Sequence, residues 1–163
     1  MPNAIKMQEG SLFSFKETGG SALWTAKNTA TAHGRLSTQL DLGAPPRPKW
    51  HRWTLISKFQ TAVVGAFVRP YLVEADSNAT TYQDGAVGIT DTDLAAETLL
   101  IGAAKPLGPL YVHSAVGANV WSGKVQIFAR WVSFALWNAT SVSLTNTAAD
   151  HEFLLGTRYD EIQ

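Results

Sequence analysis

The stretch from residue 122 to 140, SGKVQIFARWVSFALWNAT, is the most apolar in the chain, and its pattern changes halfway along. β-Branched and aromatic residues (Val125, Ile127, Phe128, Trp131, Val132, Phe134, Trp137) favour strand over buried helix. Alternate residues of a strand share a face. The odd row from Val125 to Trp137 is apolar almost throughout, so one face is expected to be core. The even row starts solvated at Lys124 and Gln126, then turns apolar at Val132, Phe134 and Leu136. From about Arg130 onward both faces need cover. A membrane span does not fit: it needs roughly 20 consecutive apolar residues, and Arg130 and Ser133 interrupt a run already too short.

The rest of the chain reads as many short strands. Residues 1–9 are too polar and irregular to be core and are expected to form an arm. SLFSF (11–15) and ALWTA (22–26) predict short strands around Gly19-Gly20, and GRLSTQLDLG predicts a half-buried strand with Leu36, Thr38, Leu40 and Leu42 on one face. The prolines of APPRPK (44–49) make a semi-rigid loop. WHRWTLISKF and AFVRPYLVEA predict a hairpin broken near Val64-Gly65, with Pro70 at an edge or a bulge because proline cannot donate to a ladder. Residues 76–93 form the longest polar stretch, a length typical of functional or mobile loops. AAETLLIGAA fits helix or strand and is read as strand in this company; GPLYVHSA and HEFLLGTRYDEIQ complete the set. No amphipathic helix, internal repeat or second domain stands out. The expectation is an all-β, single-domain β-sandwich or barrel over residues 10–163.

Composition narrows the chemistry. Charged residues are 16% of the chain, against about 25% typically, which suits burial against partners. Formal net charge is zero, so no overall basic field attracts nucleic acid or an anionic membrane. With no cysteine there is no disulfide, zinc thiolate or thiol nucleophile. The opening residues lack a signal-peptide core, so synthesis in a cytoplasm is expected, and the sequons at Asn78 and Asn138 read as chance. His33, His51, His113 and His151 lack a ligand partner at metal-site spacing. Asp91 and Asp93, with Asp84 nearby, offer oxygen ligands for calcium but no loop signature, and such a pair is usually solvated or caps a turn. Asp160-Glu161 with His151 offers an acid pair at a terminus poorly suited to hold catalytic geometry. No nucleophile elbow, phosphate loop or zincin motif occurs. Trp50 and Trp53 fall on opposite faces of one strand, so at least one is expected to be exposed or covered from outside, as a sugar platform, a protein contact or a plug closing the sandwich.

GRLSTQLDLG, HRWTLISKF and the run from Ala129 to Gln163 together resemble the small jelly-roll decoration (cement) proteins on the heads of tailed bacteriophages. The matching features are the strand end Leu40–Gly43, the Arg130-Trp131 pair opening an apolar strand that ends at Trp137-Asn138, and the terminus Tyr159–Gln163. The resemblance covers about two thirds of the chain and is weakest over 76–105; the proline-rich 44–48 and the break near Val64 depart from it. It implies a non-enzymatic protein of the virion's outer surface that needs no cofactor or metal. Such a protein self-associates as a homodimer or homotrimer and clamps neighbouring major capsid subunits, favouring the assembled lattice by mass action. Arg130 would reach solvent or a carboxylate at the mouth of its strand, and the apolar half from Val132 to Leu136 would be covered by the arm, the tail or a neighbouring subunit. Ile5, Met7, Trp50, Trp53, Phe134 and Tyr159 are the expected contact residues. The competing expectation is a carbohydrate- or host-binding module with Trp50, Trp53 or Tyr82 as its platform; a cupin-like enzyme would need clustered histidines.

Overall fold

The computed structural model describes residues 5–44, 48–61, 64–75, 90–101, 104–114 and 117–162; for residues 5–9 and 157–162 the description is of backbone alone. The strands are β1 (Ile5–Lys16), β2 (Ala22–Leu23), β3 (His33–Leu36), β4 (Leu40–Asp41), β5 (Trp50–Ser57), β6 (Phe67–Ala75), β7 (Thr92–Leu94), β8 (Ala104–Pro106), β9 (Leu110–Tyr111), β10 (Asn119–Gln126), β11 (Trp131–Asn138) and β12 (Glu152–Ile162). One short helix, α1 (Thr98–Ile101), precedes β8. One sheet runs β10-β5-β12-β1-β2, the other β7-β3-β11-β6-β8, with β9 continuing β8 along β6 and β4 continuing β3 along β11. The chain is a single-domain β-sandwich. Counted as β1, β3, β5, β6, β8/β9, β10, β11 and β12, the first sheet takes the first, eighth, third and sixth strands and the second takes the second, seventh, fourth and fifth. That is the jelly-roll order.

Aromatic rings join the two sheets. Phe134 on β11 stacks on Phe153 on β12 with centroids 3.8 Å apart and planes 9° apart. Trp24 meets Phe134 edge-on at 4.9 Å, and Phe15 meets Phe153 at 5.6 Å. Leu36 is absent from this layer, but Leu55, Leu72, Val132, Leu136 and Leu155 pack around the rings. Phe134 is fully buried and Trp53 nearly so. Their assignment as contact residues is therefore corrected: their apolar surface is satisfied inside the chain, between the sheets.

The change of pattern at Arg130 marks a change of sheet. SGKVQ belongs to β10 in the first sheet and WVSFALWN to β11 in the second. In β10 the odd positions Trp121 and Val125 turn inward; in β11 the even positions Val132, Phe134 and Leu136 do. The crossing reverses the phase, and a single strand through 122–140 was the wrong frame. The odd row of β11 faces outward and is still covered. Ala135 and Trp137 pack in one cluster with Leu36, Tyr71 and Val73, Leu94 of the neighbouring strand β7 and Leu100 of α1. Among the described residues that cover comes from β7 and α1, and α1 replaces the strand expected over the middle of AAETLLIGAA. Tyr71 Oη donates to Glu97 at 2.6 Å, and Arg69 also holds Glu97, at 2.5 Å, so the segment is tied down over its apolar floor.

Three further expectations change. The β5–β6 hairpin does not form: β5 lies between β10 and β12 in one sheet, and β6 beside β11 in the other. GRLSTQLDLG is broken into β3 and β4 at Ser37, whose N–H still donates to the Phe134 carbonyl while its Oγ accepts the Phe134 N–H. The arm is not separate from residue 5 onward. Ile5 to Glu9 pair with Ile162 to Arg158, beyond the point where β12 leaves β5, as a two-stranded ribbon set off by a register shift between Glu9 and Leu12. Pro70 sits opposite Leu136, and its carbonyl accepts the Leu107 N–H in the gap between β8 and β9. Since N and C=O of one strand residue point the same way, its missing donor faces that gap and not β11. Among the described residues no helix is long and apolar enough to cross a membrane.

Candidate binding surface

Alternation along β5 puts His51, Trp53, Leu55 and Ser57 inward and leaves Trp50 and Arg52 exposed. Trp53 lies flat under β10, where its cross-strand partner is Gly123. A Cβ on Gly123 would stand 2.6 Å from Trp53 Cζ2, so only glycine fits above that indole. Trp50 pairs with Gln126 at the last register position, where β10 ends. Beyond it the Ile127 N–H donates to the Lys49 carbonyl and Ile127 is buried, while Phe128 turns out with 60% of its surface exposed.

Glu74 holds this crossover. One of its oxygens accepts the Phe128 N–H at 2.8 Å and the Ala129 N–H at 3.0 Å, and the other pairs with Lys105 on β8. Burial alone would push the Glu74 carboxyl up. The Lys105 hydrogen bond, the two N–H donors and the Lys105 charge outweigh it, so its pKa sits below the ordinary carboxylate value. Lys105 also donates to the Gln126 carbonyl at 2.6 Å and lies 5.5 Å from the centre of the Phe128 ring. The result is an open cleft of about 390 Å³ between the β5–β10 corner and β8, flanked by Trp50, Phe128, Lys105 and Lys124. A second cleft of about 300 Å³ lies across Pro106, lined by Phe67, Arg69 and Tyr111. Exposed aromatic planes beside cations suit stacking and charged hydrogen bonds with a ligand or a partner.

The other polar groups singled out are structural. Asp91 is not solvated: it receives Arg35 through two hydrogen bonds, at 2.9 and 2.6 Å, and the Thr25 N–H at 3.2 Å. His33 lies 3.4 Å from Asp93. His151 joins Ser57 Oγ at 2.9 Å and Thr145 Oγ1 at 3.1 Å, and Thr145 donates to Asp150 at 2.8 Å. That chain resembles a hydrolase triad only on paper, since Ser57 and His151 are buried and burial holds His151 below the ordinary imidazole pKa. Asn138 donates to the carbonyls of Thr29, Ala30 and Val142 and accepts from Thr140, so this sequon is a buried turn. Arg130 makes the expected carboxylate contact, gripping Asp41 at 2.8 and 2.6 Å. Among the described residues no group of three or more His, Asp or Glu is placed to hold a metal.

Of the expected contact residues, Trp50 alone is placed at the cleft. Ile5, Met7 and Tyr159 share the terminal ribbon by backbone register, but their side chains, like all of Tyr82 and Asp84, lie outside the described residues. Sequence reasoning passed over Phe128 and Lys105. Phe128 carried a signal, an exposed aromatic just where the phase reverses; Lys105 carried none, because its partners are remote in sequence. No protein-family model matches the chain, and no curated protein matches it.

Proposed function

We propose that this protein is a non-enzymatic capsid decoration protein, binding the outside of an assembled phage head and clamping neighbouring major capsid subunits. The reading rests on the resemblance carried by Leu40–Gly43, Arg130-Trp131 and the C-terminal run. The observation that supports it best is the exposed aromatic cleft of Trp50 and Phe128 on a jelly-roll whose core is otherwise closed. A sandwich that keeps Trp50 and Phe128 about half or more exposed, side by side at one cleft, has surface to offer a partner. Binding only to the assembled shell stabilises that shell by mass action, and many copies sum small contributions.

The test is to add purified protein to undecorated heads and measure occupancy by electron microscopy and particle melting. Occupancy with a higher melting temperature is expected, and both should fall sharply for the double variant Trp50→Ala, Phe128→Ser. Heads that neither bind the protein nor gain heat resistance would end the reading. A second reading, sugar binding, is favoured by the same Trp50 beside Gln126. Glycan-array binding that disappears in Trp50→Ala, with no head binding, would select it.

A further inference from the structure

Seven of the ten lysines and arginines whose side chains are described reach a carboxylate. The exceptions are Lys49, Arg52 and Lys124, and they share one corner of the sandwich. Lys124 stands directly opposite Arg52 in the β10–β5 ladder, one step from Gln126 and Trp50 on the same exposed face. Because the Ile127 N–H bonds the Lys49 carbonyl, the odd positions of β10 direct their backbone groups to β5 and the even positions direct theirs away. Lys124 and Arg52 therefore form a non-hydrogen-bonded pair, the arrangement in which opposed side chains come closest. Like charges directly opposite destabilise a sheet, yet this chain places them there and leaves them without an acid.

The same register leaves an open edge. β10 ends its sheet, so the N–H and C=O groups of Val120, Ser122 and Lys124 point outward with no neighbouring strand among the described residues. The Gln126 carbonyl, next in that row, does find a donor, and the donor is a lysine. Long edges of this kind are normally blunted, and here only charge guards it. A second copy pairing along β10 would gather the unpaired cations of both chains on one face. An acidic strand would answer them.

We propose that the edge of β10 receives an extended acidic segment of another protein as an added strand. Main-chain hydrogen bonds to Val120, Ser122 and Lys124 would supply affinity, carboxylates on the exposed face would pair with Lys124 and Arg52, and an adjacent side chain would rest on Trp50. This rests on reading the protein as a binding module, not on the identity of its particle, so peptide binding and head binding fail independently.

The probe is a blocked synthetic peptide alternating Glu with Val and Thr, titrated into the full-length protein and followed by tryptophan fluorescence and calorimetry. Saturable binding that weakens with salt is expected. The double variant Arg52→Glu, Lys124→Glu should lose at least about tenfold in affinity, as one charge-assisted contact removed implies. Ser122→Pro should lose a similar factor, because it removes an outward N–H and leaves the β5-facing groups of β10 in place; circular dichroism checks that it folds. A peptide N-methylated at alternate residues gives the same reading on the unaltered protein. No binding of the acidic peptide would overturn the proposal. So would binding indifferent to both Ser122→Pro and N-methylation, which would be charge contact without strand addition. Dextran sulfate binding in place of the peptide would reassign the corner to an anionic polysaccharide, and a concentration-dependent dimer abolished by Ser122→Pro would reassign it to a second copy.

Discussion

On the outer face of the seven-stranded sheet, Trp137 is buried with Leu94 of β7 and Leu100 of α1, and Arg69 and Tyr71 hold Glu97 beside the same cluster. On the outer face of the five-stranded sheet, Trp50 keeps 49% of its surface in solvent beside two cations with no acid. Both faces carry a tryptophan on a strand, and among the described residues only one is covered by the chain itself. The difference separates two uses of an aromatic that strand periodicity alone treats alike. A roofed ring contributes to folding; an unroofed one flanked by unpaired charge is available to something else. If that distinction is real, substitutions on the two faces must divide between stability and binding.

The largest division should come from the roof. Leu100→Ala removes a fully buried side chain and should cost about 2–5 kcal/mol in urea unfolding. Trp50→Ala should stay within about 0.5 kcal/mol of the parent. Equal losses at the two positions would break the comparison. Gly34 sharpens it further. A Cβ there would lie 2.9 Å from Trp137 Cε3 and 3.0 Å from the Leu136 carbonyl, which is backbone and yields little. Gly34→Ala should therefore cost about 1–3 kcal/mol, and a change of near zero would mean that Trp137 is loosely held.

Much of the strand content was legible because β-branched and aromatic residues recur in short runs between turn residues, as in β5 and β11, although the face on which Phe134 lies was not. What periodicity could not carry was which sheet each strand enters. β5 and β6 are neighbours in sequence with matching patterns, and a hairpin and a crossing look the same locally. The reversal at Ile127–Arg130 was visible as a change of character, yet its cause, a passage between sheets, depends on Glu74 more than fifty positions away binding the Phe128 and Ala129 N–H groups. The roof was misread for a related reason: Leu94 and Leu100 lie in a segment too short to show helical period. At the candidate site Trp50 was legible from its face. The isolation of Arg52 and Lys124 was not, since an unpaired charge is defined by where every carboxylate ends up.

The crossover beside the cleft should respond to acid. Glu74 has a folded pKa below its ordinary value of 4.5, so its contribution is full above about pH 4.5 and is lost as pH falls through the depressed folded value. Glu74→Gln should cost on the order of 1 kcal/mol at neutral pH, moderated by partial solvent screening. Its stability should also fall less steeply below pH 4.5 than the parent's. An acid limb of unchanged slope would show that the carboxylate does not hold the crossover. His151 acts higher in pH: with its folded pKa depressed by burial, stability should decline as pH drops below about 6.5, where the unfolded imidazole takes up a proton that the folded one refuses.

The smallest effect is the most discriminating, because its sign is opposite to that of an ordinary substitution. Lys124 and Arg52 repel across a non-hydrogen-bonded pair, so Lys124→Glu exchanges repulsion for attraction at a position that packs nothing. The expected gain is about 0.2–1 kcal/mol, or roughly 1–3 °C in melting temperature for a chain of this size. It should shrink as salt rises toward 1 M, where the Debye length falls to about 3 Å. Lys124→Gln should gain about half as much, since it removes repulsion without adding attraction. The same two variants should bind the acidic peptide more weakly in the reverse order. A face kept unroofed for a partner is one where stability and binding pull in opposite directions. If Lys124→Glu proves neutral or destabilising at low salt, the two cations are not in conflict, and their shared corner has no cost for a partner to relieve.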